Sequence, residues 1–313
     1  MDIQLLATRI GEGNRRAIAR GLTLVESQQP KHQSMSLQLF QELGGAPRAF
    51  RLGVTGPPGA GKSTVIERLV LDWVGRGHKV AVLAIDPSSR RTGGSLLGDK
   101  TRMGAIADLS EVFIRPSPAG QSLGGLSQRT PLMCALLERA GYHKIVVETV
   151  GVGQSEISAT YLVDQLMLVA LPGAGDEVQG LKRGLMEEVD LVAVNKADLG
   201  QAKATVAILR SALRVFRREV PVVEVSALNG AGFPKLMEHL DKLTEERDAR
   251  RTEGELHFFE QYTLQELRKL LLHEDSDWHV LRDRVERGEL DLLGALPELA
   301  ELLEVFRGQL HSC

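Results

Sequence analysis

The sequence predicts an α/β fold in which a mainly parallel central sheet is flanked by helices, with further helices before and after the sheet. Short apolar runs alternate with stretches of helical spacing through the middle of the chain. Strands that are apolar on both faces are typical of a sheet covered on both sides, and alternation with helices is typical of parallel pairing. The predicted strands are residues 50–55, 80–85, 112–114, 144–148, 165–171, 190–195 and 221–226.

Helical segments precede and follow the sheet region. Residues 1–48 have helical spacing, with helix starts expected at Asn14 and Pro30. The expected domains are an N-terminal helical extension at 1–48, the sheet domain at 49–245 and a C-terminal helical arm at 246–313. The arm carries an apolar stripe, which fits either docking onto the chain's own core or a dimer surface. The stripe consists of Leu264, Leu267, Leu270 and Leu271.

The composition excludes several classes of protein. Of the 313 residues, 43% are hydrophobic and 25% are charged, which argues against a disordered chain. No apolar run is long enough to cross a membrane. The formal net charge of −3 provides no basic field for nucleic acid. Neither a membrane nor a nucleic acid is therefore expected as a partner.

The cysteines and the first residues indicate the compartment. Cys134 and Cys313 have neither CxxC nor metal-ligand spacing, a pattern that favours a reducing environment. The first segment lacks the charged-then-apolar layout of a signal peptide, and Asp2 and Glu12 argue against a transit peptide. A cytoplasmic, unprocessed protein is expected.

A phosphate-binding motif follows the first predicted strand. The segment GPPGAGKS at 56–63 fits G-x-x-x-x-G-K-[ST] between a strand and a helix. Its small residues let successive backbone N–H groups close around phosphates at the start of the helix. Lys62 would reach the β and γ phosphates in a catalytic role, and the Ser63 hydroxyl would ligate Mg²⁺. The predicted phosphate residues in this motif are Gly59, Ala60, Gly61, Lys62, Ser63 and Thr64.

A guanine-binding motif, NKAD at 195–198, ends the sixth predicted strand. The Asp198 carboxylate can accept both the ring N–H and the 2-amino group of guanine, a contact that adenine cannot make. Asn195 would steady the loop while Lys196 lies along the base. The motif is weak alone but strong behind a phosphate motif, because ligands of open parallel sheets bind at the carboxyl ends of the strands.

The loop after the last predicted strand completes the guanine site. It contains Ser226, Ala227 and Leu228. The backbone N–H of Ala227 is expected to reach the guanine carbonyl oxygen.

Three acidic residues are candidates for a Mg²⁺ site and for catalysis. Asp86 ends the second strand region, Asp99 lies in the glycine-rich segment after it, and Glu148 ends the fourth strand. Mg²⁺ keeps several waters and takes few carboxylates, so these acids, with Ser63, would hold it directly or through water. The alternative for Asp99 is a helix cap. The alternative for Glu148 is a strand-end acid that balances Lys62.

The segment ETVGVGQSE at 148–156 has the shape of a γ-phosphate sensor. Gly151 can bring its backbone N–H against the γ-phosphate, and Glu148 can organise the attacking water. Val152 stands where most small GTPases carry glutamine, and an apolar side chain cannot orient a water molecule. We therefore predict slow intrinsic hydrolysis of the nucleotide, which a partner accelerates. Gln154 is assigned no catalytic role.

A third polar segment, LPGAGDEVQGLK, follows the fifth strand and can fold over the nucleotide. The alternative is an ordinary surface loop. Its candidate residues are Asp176, Glu177, Gln179 and Lys182.

Together, GPPGAGKST, AIDPSSRRTGGSLLGDKTRM, FIRPSPAGQSLGGLSQRT, VETVGVGQSE, LPGAGDEVQGLK and NKADL resemble the MeaB/ArgK/MMAA family of P-loop GTPases, a metallochaperone-type branch. The resemblance covers roughly residues 40–240. It implies a G domain with helical extensions that binds GTP and GDP with Mg²⁺ and forms a homodimer through the C-terminal arm. It places the Mg²⁺ and catalytic acids on Asp86, Asp99 and Glu148, and the family's third switch on residues 173–182.

The family resemblance also implies partners. It implies a chaperone for adenosylcobalamin-dependent acyl-CoA mutases, above all methylmalonyl-CoA mutase, which gates cofactor delivery and protects or reactivates the mutase. An adenosyltransferase is a further candidate partner. Cobalamin itself is not expected on this chain, because Asp277-Trp278-His279 begins a D-x-H-x-x-G motif in which Arg282 replaces the glycine.

Three alternatives stay open from the sequence. A nickel-inserting GTPase would carry Cys or His clusters, whereas Cys134 stands alone in its helical stretch. An ArgK-like kinase would share the phosphate motif but not need guanine. A passive scaffold would bind GDP without turnover.

Overall fold

The computed structural model describes residues 1–27, 29–86, 103–118, 129–149, 160, 162–173, 183–215, 219–245, 248–271, 277–287, 289, 297–298 and 301. Within these ranges a seven-stranded sheet has the strand order β3-β2-β4-β1-β5-β6-β7, and every pair of neighbours is parallel. The strands are β1 Phe50–Thr55, β2 Val80–Asp86, β3 Val112–Pro118, β4 Lys144–Glu148, β5 Gln165–Ala170, β6 Leu191–Val194 and β7 Val222–Glu224. The predicted α/β class is confirmed.

Helices flank this sheet and extend beyond it. The helix starts expected at Asn14 and Pro30 are found, since Asn14 caps α2 through its side chain and Pro30 opens α3. The helices are α1 Ile3–Gly11, α2 Arg15–Glu26, α3 Pro30–Leu43, α4 Lys62–Gly75, α5 Gly104–Ala107, α6 Thr130–Arg139, α7 Arg183–Glu188, α8 Ala202–Val215, α9 Phe233–Glu245, α10 Asp248–Leu271 and α11 Asp277–Glu286.

The third strand is longer than the sequence predicts. The expected strand ends at Ile114, but β3 continues through Pro116 and Pro118. A proline has no N–H to donate, so it normally ends a central strand. It is tolerated here because β3 pairs only with β2 and lies at the edge of the sheet.

Two hydrophobic clusters cover the two faces of the sheet. Along β2, Ala81 and Leu83 belong to one cluster and Val80 and Val82 to the other, since successive side chains of a strand point to opposite faces. The first cluster also contains apolar residues of α1 to α3, including the fully buried Ile18. The N-terminal helices therefore share a core with the sheet.

A buried ion-pair network lies near the beginning of β1. Arg51 forms two bonds to the Glu138 carboxylate of α6, at 3.2 and 3.0 Å. Arg251 of α10 donates to the same carboxylate at 2.5 Å and to the Ala49 carbonyl at 2.9 Å. Asp164 accepts the backbone N–H of Arg51 at 2.7 Å. All four charged side chains are at most 7% exposed.

The chain divides into two compact units, Met1–Leu256 and His257–Cys313. The domain boundaries predicted at residues 48 and 245 stay predictions. Among the helices of the described ranges, none has the length and apolar character needed to cross a membrane.

Candidate functional site

The predicted site residues that the structure describes lie at the carboxyl edge of the sheet. The phosphate motif joins β1 to α4, Glu148 ends β4, and residues 195–198 and 226–228 follow β6 and β7. Because all these strands are parallel, their carboxyl ends meet at one edge, where open α/β sheets bind ligands.

The phosphate loop requires glycine at two places. Gly56 has a φ of 145°, and a Cβ there would lie 2.1 Å from the Val169 carbonyl oxygen. Gly61 has a φ of 83°, and a Cβ there would lie 2.5 Å from the Asn195 amide nitrogen. Any side chain at either position would collide with a neighbouring strand end or with the guanine motif.

Lys62 is the first residue of α4 and bends back onto the loop that precedes it. Its ammonium group donates to the carbonyl oxygens of Gly56 at 2.7 Å and Pro57 at 3.2 Å. The charge thereby stays within the loop whose N–H groups are suited to phosphate oxygens.

Ser63 and Glu148 are brought together across the sheet edge. The Ser63 hydroxyl donates to Glu148 Oε1 at 3.1 Å. A hydroxyl and a carboxylate beside a phosphate loop are the oxygen donors that Mg²⁺ prefers, so the pair fits this ion. Among the described residues no group of three His, Cys, Asp or Glu side chains is arranged to hold a metal.

Asp86 ends β2 at the same edge. Ala84 pairs with Glu148 in the β2–β4 register, so Asp86 lies two residues further toward the site. The side chain of Asp86 lies outside the described part of the structure.

Asn195 connects the phosphate loop to the guanine motif. Its side-chain nitrogen donates to the Ala60 carbonyl at 2.9 Å, and its side-chain oxygen accepts the Ala227 N–H at 3.0 Å. Asn195 is 2% exposed, so both bonds are shielded from water. The Ala227 N–H is thus bonded within the protein, and its predicted contact with guanine stays a prediction.

Asp198 lies exposed on a short turn and is oriented by Ser226. The Ser226 hydroxyl donates to Asp198 Oδ1 at 2.5 Å, and Ser226 itself is buried. Lys196 precedes this turn with a φ of 54°, a left-handed conformation that non-glycine residues seldom adopt. Each carboxylate oxygen can accept more than one bond, so Asp198 keeps capacity for a base.

Two side chains of α4 belong to the site without carrying a motif. Glu67 accepts the backbone N–H of Ala105 at 2.8 Å, which ties α4 to the start of α5. Arg68 donates to the Ala227 carbonyl at 3.3 Å. The sequence gives no signal for either contact beyond two adjacent charged residues within α4.

Several predicted residues lie outside the described ranges, and their roles stay predictions. They are Asp99, Gly151, Val152, Gln154, Asp176, Glu177, Gln179 and Lys182. Two described residues that border these segments form hydrogen bonds with other parts of the chain. The Thr149 N–H donates to the Val54 carbonyl at 2.9 Å, and the Gly173 N–H donates to the Thr205 hydroxyl at 2.9 Å.

Cys134 is a core residue. It is fully buried in the first hydrophobic cluster, and burial raises the pKa of its thiol to about 11. A metal ligand must be a thiolate, which this environment disfavours.

The glycine-rich loop at the start of α4, its lysine and serine, and the guanine motif at the end of β6 define a P-loop GTPase. The resemblance seen in the sequence is confirmed. The chain belongs to the family described as methylmalonyl Co-A mutase-associated GTPase MeaB, whose model matches residues 18–275. Its enzymatic activity is the hydrolysis of GTP.

Named relatives agree with this assignment. A probable GTPase of Mycobacterium tuberculosis is 42% identical over 301 residues, which cover 91% of this chain and 88% of the relative. The GTPase ArgK of Escherichia coli is 46% identical over 240 residues, covering 73% and 72% of the two chains. A crystal structure of a LAO/AO transport system kinase aligns with a TM-score of 0.72 at 30% identity, covering 96% of this chain and 97% of the other.

Proposed function

We propose that this GTPase serves a cobalamin-dependent acyl-CoA mutase, methylmalonyl-CoA mutase in the first place. It would gate the delivery of adenosylcobalamin to the mutase and protect or reactivate that enzyme. The observation that carries the proposal is the match to a mutase-associated GTPase family over residues 18–275. The described nucleotide site supports it, because GTP binding and hydrolysis supply the two states that such a gate needs.

The site residues would divide the work of nucleotide binding. The backbone N–H groups of the phosphate loop and the Lys62 ammonium hold the β and γ phosphates, while Asp198 selects guanine. Ser63 and Glu148, with Asp86 and Asp99, would hold Mg²⁺, and the bound ion would supply positive charge to the phosphates. Glu148, which ends β4 and accepts the Ser63 hydroxyl, would also orient the attacking water.

The partner would supply the group that accelerates GTP hydrolysis. Val152 has no group that can orient the attacking water, so the rate without a partner is expected to be low. Groups contributed by a partner accelerate other GTPases by roughly 10³ to 10⁵. In this proposal the segment at 173–182 reports the bound nucleotide to the mutase.

The assembly around the GTPase belongs to the same proposal. A homodimer through the C-terminal arm is supported by exposed apolar side chains on α10, where Phe259 is 65% and Leu264 is 60% exposed. We also propose an adenosyltransferase as the partner that transfers the cofactor. We propose that the protein is located in the cytoplasm.

The test combines binding with turnover. The purified protein should bind GDP and GTP over ATP, hydrolyse GTP slowly alone, and do so at least tenfold faster with purified methylmalonyl-CoA mutase. A Lys62→Ala variant, which lacks the phosphate-loop charge, should lose the stimulated rate. Unchanged turnover together with no complex in gel filtration would contradict the proposal. Transfer of γ-labelled phosphate to a protein, without phosphate release, would favour the kinase alternative.

A further inference from the structure

We propose that Arg68 is a positioning residue for guanine binding, which fixes the loop at 226–230 to the helix that begins at the phosphate loop. This inference rests on the guanine site proposed above. It assigns a role to a side chain that lies in none of the nucleotide motifs.

The Arg68 guanidinium makes two contacts with the region between β7 and α9. Nη1 donates to the Ala227 carbonyl at 3.3 Å. The guanidinium carbon lies 5.6 Å from the centroid of the Phe233 ring, within the range of a cation–π contact. Phe233 is 6% exposed and opens α9. Arg68 therefore contacts the loop between β7 and α9 near its beginning, at Ala227, and contacts the first residue of α9, Phe233.

The loop is shaped around this guanidinium. Gly230 has a φ of 84°, and a Cβ at this position would lie 2.3 Å from Arg68 Nη2. The loop also closes on itself, because the Gly230 N–H donates to the Ser226 carbonyl at 2.8 Å and the Ser226 N–H donates to the Ala231 carbonyl at 2.9 Å. A displacement at Ala227 would be passed to Ser226, whose hydroxyl orients Asp198.

The hydrogen bond from Arg68 to the Ala227 carbonyl also sets the direction of the Leu228 N–H. The described peptide bonds are all trans, and in a trans peptide the C=O and the following N–H point in opposite directions. By holding the Ala227 carbonyl, Arg68 turns the Leu228 N–H away from α4. That N–H has no protein acceptor among the described residues, whereas the Ala227 N–H is bonded to Asn195. Leu228 thus supplies the available donor for the guanine carbonyl oxygen.

One rigid element would then set the distance between the two halves of the nucleotide site. Lys62 and Arg68 are six residues apart on α4, which is about 9 Å of helix. Lys62 holds the phosphate end and Arg68 the base end. Arginine suits this place because its planar group can donate and stack at the same time.

The test compares Arg68→Met with Arg76→Met. Methionine keeps an apolar stem against Phe233 but has no donor for the Ala227 carbonyl. Arg76 lies at the end of the same helix and pairs with Asp72 and Asp241, away from the guanine loop, so its variant removes the same charge. We expect Arg68→Met to bind GDP roughly tenfold more weakly, the worth of one hydrogen bond from a charged donor. ADP binding, which lacks the guanine contacts, should not change, and Arg76→Met should match the wild type for both nucleotides.

The ratio of GDP to ADP affinity separates positioning from stability. Equal weakening of both nucleotides, or unchanged GDP affinity in Arg68→Met, would overturn the inference. If Arg68→Met does not fold, as judged by thermal melting without nucleotide, Arg68→Lys is judged by the same ratio and should lose part of the selectivity. Asp198→Asn separates the two proposals. If Asp198→Asn leaves the guanine preference unchanged, the proposed guanine site is wrong. If Asp198→Asn lowers the guanine preference but Arg68→Met does not, only the role proposed for Arg68 is wrong.

Discussion

Asn195 shows how one side chain can join segments that lie far apart in the sequence. An amide both donates and accepts, so it bonds the Ala60 carbonyl and the Ala227 N–H together, 135 and 32 residues away. A carboxylate of the same shape could not donate to Ala60. At the residue scale, the amide at 195 bonds two loops together, while base recognition is proposed for the acid at 198.

The base assignment makes a prediction at Asp198. Replacing it with Asn removes the charged acceptor, so GDP should bind about tenfold to a hundredfold more weakly. The new amide can donate to the 2-oxo group of xanthine, so xanthosine diphosphate should gain affinity. Competition against a fluorescent guanine nucleotide measures both. The matched control is Glu187→Gln on α7, a neutralised acid outside the site. Loss of GDP affinity without a gain for the xanthine nucleotide would count against direct base contact.

At the scale of elements, α4 organises the site beyond its phosphate loop. Its first residue, Lys62, is the proposed phosphate ligand, and about one and a half turns later Glu67 and Arg68 contact two different segments. Its buried face, with Val65, Ile66 and Leu69, packs into the second hydrophobic cluster. The helix therefore cannot shift without moving what its polar residues hold.

Glu67 allows a prediction about α5. Ala105 lies just after the segment that contains Asp99, so Glu67→Ala should release the start of α5 and slow GTP hydrolysis about threefold to tenfold, the worth of one hydrogen bond. GDP affinity should stay within about twofold because the phosphate loop is untouched. Glu67→Gln keeps an oxygen that accepts the Ala105 N–H and should behave like the wild type. Equal rates for the alanine variant and the wild type would exclude this anchoring role. Single-turnover phosphate release measures the effect.

Sequence patterns are sufficient to predict a structural feature when its cause lies in neighbouring residues. The strands were predicted from apolar runs, and the phosphate and guanine motifs from residues within eight positions of one another. The continuation of β3 through Pro116 was missed because edge position depends on which strands become neighbours. Arg68 was missed for the same kind of reason, since its acceptor lies 159 residues away. Neither the extension of β3 nor the Arg68 hydrogen bond produces a periodic pattern in the sequence.

At the scale of the whole molecule, the buried network around Glu138 connects distant parts of the larger unit. Its members come from β1, α6, the residue before β5 and α10. Arg251 has a pKa raised by the Glu138 charge and its hydrogen bonds, against the lowering effect of burial. A charge buried with partners costs little net free energy, but a charge left without one costs several kcal/mol.

Removal of Arg251 should therefore destabilise the larger unit. Arg251→Met is expected to lower its free energy of unfolding by about 3 kcal/mol, because Glu138 loses one of two cationic partners in a buried site. Arg48→Met removes an exposed pair with Glu255, half accessible on both sides, and should cost less than about 1 kcal/mol. Urea denaturation followed by far-UV circular dichroism gives both values. Similar losses for the two variants would show that burial does not set the strength of the network.

The prolines of β3 have a consequence for solubility. In a parallel ladder alternate residues direct their N–H groups to the same side, so positions 112, 114, 116 and 118 share the side away from β2. The Val112 N–H is donated to the Leu109 carbonyl, and Pro116 and Pro118 have no N–H. A foreign strand would meet at most one donor, at Ile114, along this border. At the opposite border β7 is three residues long. Short or proline-interrupted borders resist templated β-aggregation, so the sheet is protected from open-ended growth at both sides.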